Sequence, residues 1–212
     1  MMMMTNTAQV VQACSGPVAP GLMALIVAHE SGGHPWAINV NRLANGSMVF
    51  RSRTAAVAAA THYIRRGYKV DMGLAQVDSE NLGRLGLSIR RAFNPCTNVK
   101  AGAAIFSGAW KGAQARGFSG GNQLMAALSA YNSGNYRGDW GYADAVLHGT
   151  AVGGSIPYTP AVARMIRKAA PSPFMASPLI TVTAPPEWLV NETPVQARMP
   201  GYSHWGLRYA HD

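Results

Sequence analysis

At 212 residues, 48% of them apolar, the chain is long enough for one domain with a real core plus an appendage. Its formal charge of +9 is unevenly placed: before residue 171, 16 basic residues face 6 acidic ones, a net of +10; such a surface suits an anionic partner, whether nucleic acid, anionic lipid or the carboxylate-bearing bacterial wall. The basic residues are scattered, with Arg65-Arg66, Arg90-Arg91 and Arg167-Lys168 only as pairs, and no helix-turn-helix, zinc-finger or arginine-rich signature supports sequence-specific nucleic-acid recognition; no stretch is apolar enough to span a membrane.

Residues 1–16 read as a short polar lead. A first helix is expected over 17–30, started by Pro20 and stopped by Gly32-Gly33, with Leu22, Leu25, Ile26 and His29 at helical spacing. Residues 39–43 and 47–51 read as a small hairpin with Asn45-Gly46 as its turn. A helix over 54–66 follows, closed by Gly67 and Tyr68. Residues 70–79 read as a loop or short turn carrying Gly73-Leu74-Ala75-Gln76, and 81–85 as one helical turn. A long Ala-rich helix is expected over 99–116, another over 122–131, and two shorter ones over 140–147 and 159–169. The text then becomes proline-rich, and 171–212 reads as an extended or disordered tail. The expected organisation is therefore a lead over 1–16, a catalytic domain over 17–170 and a tail over 171–212.

Cys14, ahead of the first helix, and Cys96, in a loop over 94–98, are the only cysteines. They are either two ordinary buried thiols or a bridge; two loop cysteines with no other thiol favour a disulfide and an oxidising compartment. No Lys or Arg precedes Arg42, so no secretory signal is visible.

Glu30 is one of only two glutamates in the first 170 residues, and it ends an apolar helix at a glycine turn. A carboxyl there is poorly solvated but reachable, so its pKa rises, as a general acid for glycosidic cleavage requires. The other acids of the body, Asp71, Asp78, Glu80, Asp139 and Asp144, read as lying in no comparable setting. The run His29-Glu30-Ser31-Gly32-Gly33-His34 approaches a zinc-protease signature, but its histidines are five apart and two glycines end the helix between them. No metal and no cofactor are expected. Trp36, Trp110, Trp140 and Tyr142 read as core aromatics rather than sugar platforms.

Four segments in order carry a resemblance: His29-Glu30-Ser31-Gly32, Gly73-Leu74-Ala75-Gln76-Val77, Ala130-Tyr131-Asn132-Ser133-Gly134 and Ile156-Pro157-Tyr158. They are similar to the lysozyme-like lytic transglycosylases of the Slt and goose type. A narrower resemblance, to the VirB1-like proteins of type IV secretion systems, rests on Pro35-Trp36-Ala37-Ile38-Asn39-Val40-Asn41, Val70-Asp71-Met72-Gly73 and Asn94-Pro95-Cys96-Thr97-Asn98. The similarity covers roughly residues 14–168.

The resemblance implies a mainly α, α+β lysozyme-like fold: a helical bundle around a substrate cleft, with a small β-hairpin lobe. It implies that Glu30 protonates the bond between N-acetylmuramic acid and N-acetylglucosamine, that the substrate's acetamido group replaces a second carboxylate, and that a 1,6-anhydro product forms. Gln76 would line the cleft and hydrogen-bond the sugar, or only bond the backbone of its own loop; Ala75 stands where the family often has Met, which would loosen one subsite. Ser31 would sit at the sugar or only cap the turn. Tyr131 and Asn132 would orient Glu30 and the acetamido group, with a core role for Tyr131 as the alternative. Tyr158 would be a cleft tyrosine. The implied partners are peptidoglycan glycan strands in the periplasm or cell envelope; the tail lies outside the resemblance, and its Pro-spaced segments with Trp188, Tyr202, Trp205 and Tyr209 read either as a dock for secretion subunits or as a plain extension. Two rivals remain: a hydrolytic muramidase on the same fold, and a non-enzymatic wall-binding assembly module.

Overall fold

The computed structural model describes residues 6–149. The expected helix over 159–169, Tyr158 and the tail over 171–212 lie outside the described residues.

The lead is not a plain polar arm. Helix α1 (Thr7–Cys14) starts at Asn6, whose side chain accepts from the Ala8 N–H, and it buries Val10, Val11 and Cys14. Gln9, Gln12 and the flanking Thr and Asn residues disguise that narrow apolar stripe. Helix α2 (Pro20–Ser31) has Pro at its start and a left-handed Gly32 at its end. Leu22 through Val27 are all buried, so α2 is enclosed on every side. It packs against α1, α6 (Pro95–Ala115) and α8 (Trp140–Leu147).

The small lobe is a four-stranded antiparallel sheet of order β2-β1-β3-β4, made of β1 (Ala37–Val40), β2 (Ser47–Val49), β3 (Val70–Met72) and β4 (Val77–Asp78). The first hairpin exists, but its connection runs over 41–46, with Arg42 and Asn45 both at positive φ, rather than through a two-residue turn. The span 70–79 is a second hairpin, not a loop; its strands are too short for alternation to announce them. Register aligns Met48, Ile38, Met72 and Val77 across the sheet, and this row is buried. The opposite row is polar: Ser47, Asn39, Asp71 and Asp78. The buried row packs on α3 (Arg53–Arg65) and α5 (Ile89–Ala92) with Phe93, forming a second core beside that of the helical lobe.

Asn94 caps α6 and Pro95 is its first residue, so the stretch 94–98 read as a loop is the opening turn of a 21-residue helix. Cys96 lies in that turn and is joined to Cys14, 82 positions earlier. Helix α7 (Gly120–Ser133) ends on left-handed Gly134, and α4 (Asn81–Arg84) is a single turn. The architecture is mainly α with a small β lobe, as the lysozyme-like reading expects. Among the described residues no helix is long and apolar enough to cross a membrane, and no His, Cys, Asp and Glu group could hold a metal ion.

Candidate active site

Glu30 occupies the last turn of α2, where the helix emerges between the two lobes, and is half-buried. The Tyr142 hydroxyl, from α8, donates to its Oε1 at 2.5 Å. Burial pushes the Glu30 carboxyl from an ordinary 4.5 up to about 8; the Tyr142 bond opposes the rise and the charge of Asp71 adds to it. At neutral pH the carboxyl therefore holds its proton. Tyr142 is itself 5% exposed, and burial and the neighbouring Glu30 keep its phenol protonated. The ring of His29 meets Tyr142 edge-on at 5.0 Å, and burial lowers the His29 pKa against the pull of Asp139.

The turn over 73–76 is held by its backbone from three helices. The Ser31 hydroxyl, next to Glu30, donates to the Leu74 carbonyl at 2.8 Å and to Val27 at 3.1 Å. The Tyr131 hydroxyl of α7 donates to the Ala75 carbonyl at 2.7 Å. Asn98 of α6 accepts from the Ala75 N–H at 2.7 Å. Gln76, at φ 42°, donates through its amide nitrogen to the carbonyls of Gly73 and, at 3.4 Å, Ala37. Both of these bonds run through the amide nitrogen of Gln76, not its oxygen.

Asp71 corrects the reading that no other acid shares the setting of Glu30. It is half-buried on β3, and burial together with the charge of Asp78 raises its carboxyl from 3.8 to about 7. Asn39 donates to Asp71 at 3.1 Å, and Asp71 and Asp78 share a hydrogen bond. The cross-strand polar row thus ends in two facing carboxyls, Asp71 and Asp78, of which Asp71 is pushed up.

Residues 7–144 match the family described as the Transglycosylase SLT domain. The chain belongs to this family. The SLT domain is 37% identical over 131 residues to the type IV secretion system protein virB1 of Brucella abortus biovar 1, covering 60% of the chain and 53% of that protein. It is 28% identical over 130 residues to protein virB1 of Agrobacterium fabrum, covering 58% and 49%. The chain spans about half the length of the curated relatives it matches. No solved structure matches it significantly.

Within the SLT domain the expected site residues take distinct places. Glu30 and Gln76 are linked through their neighbours, because Ser31, next to the acid, bonds the carbonyl of Leu74 in the turn that carries Gln76. Ser31, expected at the sugar, is fully buried and joins the acid helix to the turn instead. The hydroxyl on Glu30 is that of Tyr142, while Tyr131 supports the turn. Asn132 donates to Asp139, the N-cap of α8, and so steadies the helix that carries Tyr142. Ala75 is fully buried against Gly102 of α6, where an added Cβ would stand 2.5 Å from its own, so its side chain forms no cleft wall. Tyr142 is a core residue as read, but its hydroxyl also reaches Glu30, a role the core reading did not give it, whereas Trp140, read as core, is 40% exposed because it opens α8 at the surface. The available signal for Tyr142 was a phenol on the buried face of a short helix, since a buried hydroxyl needs a partner.

Proposed function

We propose that this chain is a peptidoglycan lytic transglycosylase that opens the bacterial wall locally for a type IV secretion or conjugation apparatus. The observation that carries the reading is the protonated Glu30 carboxyl, poised at about 8 and held by Tyr142. Family membership and the similarity to virB1 proteins support it.

Glu30 gives its proton to the glycosidic oxygen as the bond to C1 of N-acetylmuramic acid breaks, and the 4-hydroxyl of N-acetylglucosamine leaves. The muramoyl acetamido oxygen closes on C1 and takes up the positive charge. Glu30, now a carboxylate, removes the proton of the muramoyl 6-hydroxyl, whose oxygen displaces the acetamido oxygen from C1. The ring closes as a 1,6-anhydro sugar, no water is consumed, and Glu30 regains its proton. Gln76 fixes the acetamido sugar through its amide oxygen. The catalytic unit is taken to reach residue 170 with Tyr158 at the cleft, and the tail to dock secretion subunits in the periplasm.

Asp71 favours a second reading. A carboxyl near enough for its charge to raise Glu30 is what a hydrolytic muramidase needs to activate water. Mass spectrometry of soluble products from purified peptidoglycan, wild type beside Glu30→Gln, separates the two. Anhydro-muropeptides from wild type alone support the transglycosylase. Products heavier by one water support the muramidase. No product from the wild type defeats both and leaves a wall-binding assembly module.

A further inference from the structure

The motif Asn94-Pro95-Cys96-Thr97-Asn98 has no part in the chemistry above, yet its last residue holds the turn that carries Gln76. Asn98 is 1% exposed. Its Nδ2 donates to the carbonyls of Met72 and Ala92, both at 2.8 Å, and its Oδ1 accepts from the Ala75 N–H at 2.7 Å. One buried amide thus ties together the end of β3, the end of α5 and the turn that carries Gln76. A buried amide satisfied this fully fixes its surroundings, because any shift leaves a buried polar group unpaired.

The turn is shaped to accept this clamp. Gly73 has φ 75°, and a Cβ there would stand 2.5 Å from the Asn98 Nδ2. Gln76 sits at φ 42°, a backbone conformation that a non-glycine residue keeps only where its surroundings over-determine it. Ser31 and Tyr131 hold carbonyls of the same turn, but only Asn98 engages it through an N–H as well as through the strand leading into it.

We infer that Asn98 is a positioning residue for glycan binding: it locks the 73–76 turn in the conformation that presents the Gln76 amide oxygen to an N-acetylated sugar. The inference rests on reading the cleft as a glycan site, but not on which products form. The acid has support of its own from α2 and Tyr142, so the clamp acts first on glycan affinity.

The variant Asn98→Asp has nearly the same shape and carries its own switch. Protonated, its carboxyl keeps the Ala75 bond and one carbonyl bond. Ionised, it turns a negative charge on the Met72 and Ala92 oxygens. The measurement is affinity for a soluble N-acetylglucosamine tetrasaccharide as a function of pH, in a Glu30→Gln background that stops turnover and removes the acid's titration. Amide exchange of Ala75 is followed alongside. Relative to the Glu30→Gln parent, the double variant should bind about tenfold more weakly once its carboxyl ionises, the size of one lost buried hydrogen bond, and recover toward parental affinity at low pH. Ala75 exchange should accelerate over the same range. Gly73→Ala in that background attacks the contact from the turn side and should weaken binding similarly, which covers an Asn98→Asp protein that fails to fold. Faster Ala75 exchange with unchanged affinity would overturn the inference, as would an Ala75 amide that stays protected. Failure of the transglycosylase reading would show separately, as parental glycan binding without anhydro products from the wild type.

Discussion

Tyr142 and Glu30 stand 112 positions apart in the chain and 2.5 Å apart at their oxygens. The phenol donates, so it favours the ionised carboxylate and restrains the rise that burial imposes on Glu30. In Tyr142→Phe the restraint is gone and the acid's pKa climbs further. The alkaline limb of the cleavage rate, which follows loss of the Glu30 proton, should move to higher pH. The kcat should fall about tenfold, because the carboxyl is no longer aimed by a hydrogen bond. A pH–rate profile on peptidoglycan reads both effects. An unmoved limb would mean that Tyr142 only fills space.

The same raised carboxyl makes stability depend on pH. Glu30 is held near 8 in the folded protein and near 4.5 when unfolded, so between those values the folded state binds the extra proton. Its stabilising contribution is full below about 4.5 and is lost as pH rises through about 8. Glu30→Gln removes this dependence. Wild type should lose stability relative to Glu30→Gln by up to about 1.4 kcal/mol per pH unit across that window. Urea unfolding of both proteins at several pH values checks it, and parallel curves would refute a buried, protonated Glu30.

What could be read in the chain before its structure was known follows from the range of the interactions. Helix α2 and its acid were legible because Pro20, the apolar run and Gly32 are local signals. The first turn of α6 was not legible as helix although Asn94-Pro95 is a helix-start pair, because the apolar periodicity that marks the helix begins only beyond it. Strands β3 and β4 have three residues and two, too few to show a period. The role of Tyr142 depends on a partner from another helix, and the polar row on the Asn39, Asp71 and Asp78 register, so no local pattern contains either.

Asp71 is the test of the two chemistries. Its charge raises Glu30, so Asp71→Asn should lower the acid's pKa and shift the alkaline limb of the rate to lower pH. A transglycosylase should keep making anhydro products in this variant, at a rate within about tenfold of wild type below the shifted limb. A muramidase that uses Asp71 to activate water should lose its water-added products almost entirely. Product masses and the pH profile of the one variant therefore decide between the readings.

The Cys14–Cys96 bridge closes a span of 82 positions and ties α1 to the opening turn of α6. Its effect lies mainly in the unfolded chain, where the cross-link removes entropy. The double variant Cys14→Ser, Cys96→Ser should therefore lose about 4 kcal/mol of unfolding free energy in the chain-entropy model. The folded site should change little. Helix α1 keeps the burial of Val10 and Val11, and the Thr7 hydroxyl keeps its bond to the Gly33 carbonyl at 3.0 Å. Asn98 keeps its three bonds, none of which passes through sulfur. Urea unfolding should register the loss, while Ala75 amide exchange measured by its local opening under native conditions, and glycan affinity, stay near their wild-type values. A stability loss below about 1 kcal/mol would mean that packing alone holds α1, since a cross-link over so long a loop should contribute several times that. A large loss of glycan affinity would mean instead that the bridge, through the helix turn it shares with Asn98, helps to hold the clamp in place.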